Sequence, residues 1–228
     1  MKQLLITIAT LVLVGCGPKP PNISIHNTVI FRDVEALKQH LAAGTPVDMK
    51  GNLGETPLFG AFERQNIKMA KLLVDSGADV NSKEGGYGGT PMHLAAAIFD
   101  KQFAELLISN GASINVLNKS HRFGGFYWRP IHLASHLGDK ELVKLFISKD
   151  VDINTKTTGE ETPLHYAVIF DQKEIAVLLI DNGANVNPVD HGGVTPLDSA
   201  IFNGNPDIAK LLRKHGGKTS KELKAECK

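Results

Sequence analysis

Thr162-Pro163-Leu164-His165-Tyr166-Ala167 decides the reading of this chain, because it recurs. Thr56 opens TPLFGA, Thr90 opens TPMHLA, Arg129 opens RPIHLA and Thr195 opens TPLDSA. Successive starts lie 34, 39, 33 and 33 residues apart. A fixed period in this range marks stacked repeats and outranks any reading of single residues. Each copy has a second landmark 21 residues after its start, at Gly77, Gly111, Asp150, Gly183 and Gly216. Between the landmarks runs an apolar segment such as Ile175-Ala176-Val177-Leu178-Leu179.

The local chemistry is that of paired helices. A Thr hydroxyl can cap orphan backbone N–H groups, and Pro tolerates the first helical position. Gly after the second helix suits a left-handed residue past a C-terminus. One such pair cannot bury both faces alone, so neighbours must stack. Over residues 23–218 the chain resembles the ankyrin repeat family, on its TPLH starts followed at a fixed offset by LL-x-x-G-A-x-V-N. The resemblance implies an all-α solenoid of about six units, degraded terminal caps included, with antiparallel helix pairs and β-hairpin fingers.

The internal units run 53–84, 85–118, 119–157 and 158–190, followed by 191–218. Residues 23–52 form a degraded first unit with its missing start at Ile23. Gln39-His40 stand there in place of a Leu pair, so this helix is expected to turn a polar face to water. At the other end Arg213-Lys214 follow Leu211-Leu212 where internal copies have apolar residues. Residues 219–228 carry a capping-box pattern, Thr219-x-x-Glu222. Leu223 alone offers little to dock, so a frayed tail is expected.

Residues 1–15 read as a signal peptide: Lys2, then an apolar run from Leu4 to Val14, too short to span a membrane. Leu13-Val14-Gly15-Cys16 resembles the bacterial lipobox, which implies cleavage before Cys16 and its acylation. Gly17 after the Cys, rather than Asp, resembles lipoproteins sorted to the outer membrane, facing the periplasm. Several acyl chains would anchor the protein stably. The Pro-rich linker, 16–22, reaches only about 20 Å. Cys16 and Cys227 are the only cysteines. With Cys16 lipidated, Cys227 is read as an incidental thiol.

The formal net charge of +1 argues against a nucleic-acid role. His93, His132 and His165 recur at the fourth motif position, with Phe59 and Asp198 in the first and last copies. The family resemblance makes these structural histidines that bond across repeats, as it makes Thr56, Thr90, Thr162 and Thr195 helix caps. On that reading the row stops where stacking becomes terminal. There is no Cys-x-x-Cys, HExxH or Gly-rich phosphate loop. No catalytic residue, metal site or cofactor is expected. Ser135, His136 and Asp139 are near in sequence, but nothing supplies a base orienter, and His136 and Asp139 read as helix-surface and turn residues.

The largest departure from the period is an insertion of about six residues before Arg129. It contributes His121, Arg122, Phe123, Phe126, Tyr127, Trp128 and Arg129, and Tyr87 stands in the preceding finger. Aromatics and Arg dominate interface hot spots, so this group is the candidate partner-binding patch. The competing reading folds Trp128 and Phe126 back to seal a loop. Arg129 also gives up a cap worth on the order of 1 kcal/mol. The expected function is a non-enzymatic, membrane-anchored module that binds an unidentified protein as adaptor or inhibitor and is itself a monomer. Alternatives are an immunity protein against a secreted toxin, or a scaffold for an envelope complex.

Overall fold

The computed structural model describes residues 19–83, 89–118 and 127–226. Cys16, the segment before it and Cys227 lie outside the described residues. Among the described residues there are thirteen helices and no strand. They form six pairs: α1 (Ile25–Ile30) with α2 (Val34–Ala42), α3 (Pro57–Glu63) with α4 (Ile67–Asp75), and α5 (Pro91–Ala97) with α6 (Lys101–Ser109). Next come α7 (Pro130–Leu137) with α8 (Lys140–Ile147), α9 (Pro163–Ile169) with α10 (Lys173–Asp181), and α11 (Pro196–Phe202) with α12 (Pro206–Lys214). A final helix, α13 (Ser220–Glu226), follows unit 6. No described helix is long and apolar enough to cross a membrane.

Within a unit the two helices pack on each other, and each also packs on its counterpart in the next unit. That arrangement spreads one continuous core along the stack rather than around a centre. Leu58, Phe62, Met69 and Leu73 of unit 2 are fully buried, as are Met92, Phe103 and Leu107 of unit 3. The Phe62 and Phe103 rings meet across the unit boundary with centroids 4.2 Å apart.

The turn inside each unit is built the same way. One residue takes a left-handed conformation, at Arg32, Gln65, Phe99, Gly138, Asp171 and Gly204. The next N–H then bonds back across the turn, as from Asn66 to the Ala61 carbonyl at 2.9 Å. That next residue begins the second helix, and the side chains of Asp33, Asn66, Asp100 and Asp139 cap it. The far end of each second helix also turns left-handed, at Gly44, Gly77, Gly111, Asp150, Gly183 and Gly216. Asp150 adopts φ 56°, which a short polar side chain tolerates better than most.

The fingers are tighter than the hairpins expected. One backbone bond crosses the described base of each: Gly51 N–H to Glu55, Asn118 to Trp128, Thr157 to Glu161 and Asp190 to Val194, at 2.8 to 3.1 Å. In three of them a turn bond closes the tip, from Gly54 to Gly51, Glu160 to Thr157 and Gly193 to Asp190, and no strand is present among the described residues. At four of the six left-handed helix ends, an Asn or Asp four residues on joins one finger base to the next. Asp48 accepts from Asp79 N–H, Asn81 from Ser113, Asn154 from Asn185 and Asn187 from Lys218.

Both ends differ from their sequence reading. His40 does not face water. It is 4 % exposed, and its ring bonds the Ile23 carbonyl at 2.7 Å and Thr45 Oγ1 at 3.1 Å. At the other end α13 is docked rather than frayed. It buries no residue, so an apolar count could not foresee it. Glu222 takes a bidentate pair from Arg213 at 2.7 and 3.0 Å and caps its own helix by accepting from Thr219 N–H. The Arg213 guanidinium holds the Glu222 carboxyl down to about 2.

Phe99 sits at φ 59° and is about half exposed, where units 4 and 6 use Gly138 and Gly204. A left-handed conformation costs a bulky residue on the order of 1–2 kcal/mol, only partly offset by the greater freedom glycine loses on folding. Phe99→Gly is expected to raise stability by about 0.5–1 kcal/mol, read as a higher midpoint in urea unfolding. A lower midpoint would mean that Phe99 contributes packing that outweighs its strain.

Candidate functional site

Each histidine of the motif row is held at both ring nitrogens. Thr90 N–H donates to His93 Nδ1 at 3.2 Å, and the Thr90 hydroxyl lies 3.0 Å from the same atom. An Nδ1 that accepts from a backbone N–H leaves the proton on Nε2. His93 Nε2 then donates across the unit boundary to the Trp128 carbonyl at 3.0 Å. His132 accepts from Arg129 N–H and donates to the Thr155 carbonyl, at 3.2 and 3.1 Å. His165 accepts from Thr162 N–H and donates to the Val194 carbonyl, at 3.1 and 3.3 Å. Thr56 and Thr195 cap through their hydroxyls, to Phe59 and Asp198 N–H.

The row extends further than the sequence reading took it. His26 Nε2 reaches the Glu55 carbonyl at 3.2 Å, so unit 1 carries the same bond. The signal was present: Ile23-Ser24-Ile25-His26 keeps the spacing of TPLH without Thr or Pro. Asp198 is no blank position either. Its Oδ2 accepts from Thr195 N–H at 3.0 Å and from Ser220 N–H at 2.8 Å. A histidine donates to the next finger's carbonyl, but beyond unit 6 stands the start of a helix with free N–H groups, and a carboxylate suits it.

Burial pushes His93 down to about 4 and His132 to about 3, and lowers His165 in the same direction. These rings are fixed neutral connectors. Among the described residues no group of three or more His, Cys, Asp or Glu is placed to hold a metal.

Of the candidate patch, Tyr87, His121, Arg122, Phe123 and Phe126 lie outside the described residues. Tyr127 is half-buried. Trp128 is 8 % exposed, with its ring 5.0 Å from Tyr166 and 5.2 Å from His136, so it packs onto the first helices of units 4 and 5. Arg129, also half-buried, donates from Nε to the Asn115 carbonyl and from Nη1 to the Lys156 carbonyl. It gives up the hydroxyl cap but ties together the fingers on either side of it. His136 is half-buried, its ring 3.9 Å edge-on to Phe170, and its Nδ1 has no hydrogen-bond partner. Asp139 is the N-cap of α8.

A second surface went unnoticed in the sequence. Ile30, Phe31, Phe99, Ile169, Phe170, Ile201 and Phe202 are all exposed, and all stand at the C-terminal ends of first helices or in the turns that follow. Stacking brings these ends into one row. The signal was the repeated Ile-Phe pair at 30–31, 98–99, 169–170 and 201–202. Solvent-facing polar residues are the rule at such turns, and scattered apolar ones need no explanation, but seven at one kind of turn do, even though the pairs shift by a residue between units and are missing from units 2 and 4.

A stack of helix pairs with an apolar row and projecting fingers defines a repeat protein built to hold another surface. The family model for ankyrin repeats, in three copies, matches residues 25–118 and 125–222. An ankyrin repeat domain from Acinetobacter baumannii has a TM-score of 0.76 at 30 % identity, over 85 % of this chain and 98 % of its own. The human ASB11 ankyrin repeat domain has a TM-score of 0.73 at 24 % identity, over 87 % of this chain and 90 % of its own, and at that identity shows the fold alone. Arabidopsis thaliana acyl-CoA-binding domain-containing protein 2 is 38 % identical over 56 residues, 25 % of this chain but only 16 % of that protein's length. The chain belongs to the ankyrin repeat family. Its repeats make it a protein–protein interaction module.

The histidine row carries a pH signature. Folded values below the free-histidine value of 6.5 mean that the unfolded chain takes up protons first. Their contribution is complete above about pH 6.5 and drains away as pH falls toward 4 and 3. His93 and His132 should each lose about 1–2 kcal/mol between pH 6.5 and 5, before the paired carboxylates titrate. Thermal unfolding at these two pH values checks this. His132→Gln should melt lower than wild type at pH 7 yet fall less on acidification. An equal fall in both would mean that His132 does not carry the dependence.

Proposed function

We propose that this chain is a lipid-anchored, non-catalytic adaptor or inhibitor of a bacterial envelope. It holds one protein partner, with the exposed first-helix ends as one candidate contact surface and the inserted finger as the other. The observation that carries this reading is the exposed apolar residues at the first-helix ends. Seven large side chains stand exposed there in units 1, 3, 5 and 6, where water would select polar residues. The exposed Phe170 is backed by the buried Tyr166 ring, which Trp128 packs against, so this member of the row is rigidly held. Aromatic centres of this kind carry most of the binding energy in protein interfaces.

The anchor reading rests on the lipobox at 13–16. Cys16 would leave about eight residues between the lipid and Ser24, where α1 is capped. That keeps the solenoid within a few tens of ångströms of the bilayer. Outer-membrane attachment facing the periplasm is supported by Gly17 alone.

Affinity capture from detergent-solubilised envelopes tests the binding reading, with full chain as bait. Phe31→Ser with Phe170→Ser is expected to weaken capture of a stoichiometric partner about thirty-fold or more, with the thermal midpoint nearly unchanged. Capture that survives this pair but not deletion of 120–126 would place binding on the finger alone. Capture indifferent to both would overturn the reading. Separately, Cys16→Ser should abolish labelling by radioactive palmitate and release the protein from the membrane fraction.

A further inference from the structure

The finger of residues 45–55 differs from the other described fingers at its tip. Its base bond runs from Gly51 to Glu55, and midway between them stands Leu53, 79 % exposed. The matching bonds from Thr157 to Glu161 and from Asp190 to Val194 put Gly159 and Gly192 at the same place. Turn tips ordinarily carry glycine or short polar residues. Met49, 41 % exposed, stands on the arm that leads to this tip. Leu53 is held where it is: its N–H donates to Glu55 Oε2 at 2.8 Å, and Gly54 N–H donates to the Gly51 carbonyl at 3.0 Å.

The fold sets this finger beside the N-terminal tether. In units 2, 5 and 6 the residue before the motif start, Glu55, Glu161 or Val194, ends the returning arm of a finger. Ile23 stands at that start in unit 1, so residues 19–22 take the place of a returning arm. His40 fixes the two together. Its Nε2 donates to the Ile23 carbonyl at 2.7 Å, and its Nδ1 lies 3.1 Å from Thr45 Oγ1. One buried ring thus joins the last residue of the tether to the first residue of the finger. His26 reaches the Glu55 carbonyl at the finger's other end, at 3.2 Å. Ile23 is itself partly exposed and apolar, on the same side of unit 1. Seven residues separate Cys16 from Ile23, and seven separate Thr45 from Asn52 at the tip. Extended at about 3.1 Å per residue, either stretch spans about 22 Å.

We propose, resting on the lipid-anchored reading above, that this finger is a second contact with the bilayer, with Leu53 and Met49 entering the headgroup–acyl boundary beside the acylated Cys16. The tether selects this occupant. A membrane that holds the acyl chains lies within reach of the tip, because tether and finger leave unit 1 side by side and are of equal length. Exposed apolar side chains of this size bury about 5–10 Å into that boundary. A single tether leaves the solenoid free to swing, and a second contact on the same unit fixes which side of it faces the bilayer. The contact uses neither the first-helix ends nor the inserted finger, so both candidate partner surfaces stay clear.

The chain beginning at Cys16, with Cys227→Ser, has one thiol and can be coupled through it to maleimide-headgroup lipid in phosphatidylethanolamine–phosphatidylglycerol vesicles. Every described helix lies after residue 23, so this form keeps the whole fold. The fluorescence added by Leu53→Trp, above the background of Trp128, should be quenched by about half or more by lipids brominated near the headgroup. Phe202→Trp, at an exposed site in unit 6, should be unaffected. With one tetradecyl chain on Cys16 in place of the coupling, binding becomes reversible, and Leu53→Asp should weaken partition into the same vesicles about fivefold or more, with the melting curve unchanged. No quenching at position 53, equal quenching at 53 and 202, or partition indifferent to Leu53→Asp would each overturn the proposal. Loss of partner capture in Leu53→Asp with position 53 unquenched would give the tip to a protein and overturn it too. Neither measurement depends on acylation in the cell, which palmitate labelling decides, so the two readings fail separately.

Discussion

The structure depends on one two-ended connector, the buried neutral histidine of the repeat motif. Its Nδ1 accepts from the backbone N–H at a helix start, and its Nε2 donates to a carbonyl of the next finger. A short helix of two turns is marginal alone, and its first N–H groups need partners. The same ring settles that need and fixes the distance to the neighbouring unit. The Asn ladder at the finger bases repeats the device with a different side chain. Between the two, the apolar core has only one register available. Burial strengthens this arrangement and keeps the ring neutral, since a proton on Nδ1 would face the donors it now accepts from.

Ends are where such a scheme has to change, and each end changes by reversing polarity. At the start, His40 turns inward and bonds the Ile23 carbonyl, closing a helix that the pattern of residues left open. At the finish, an aspartate stands where the connector would otherwise donate, because the next group is a helix start rich in N–H donors. Arg213 and Glu222 then take over the face nearest the fingers. These pairs are exposed, so each contributes little alone. Their effect is to orient α13 rather than to drive its folding.

The repeats and both kinds of landmark were legible because period and capping chemistry are local properties. Thr before Pro and Gly after Leu-Leu each act within a single turn. What was not legible depended on neighbours. His26 lacked the surrounding Thr and Pro, so its shared role showed only once Glu55 stood beside it. The docking of α13 rests on polar pairs nine or more residues apart, which no apolar stripe reveals. The Ile-Phe row was visible as a recurring pair, but helix periodicity alone assigns such residues to a core. Only the left-handed turn that follows puts them outside it.

Unit 4 gathers most of the departures from the repeat, and the departures compensate one another. Its start has Arg129 instead of Thr, and the finger before it is the longest. At that junction the ladder bond of the other units gives way to Arg129, whose guanidinium reaches the Asn115 and Lys156 carbonyls on both sides. Trp128 fills the space beside Tyr166 while its carbonyl serves His93 and Asn118 together. A longer finger could therefore be inserted without loosening the stack beneath it. The bonds that would have come from a Thr hydroxyl and a finger-base Asn now come from one longer cation.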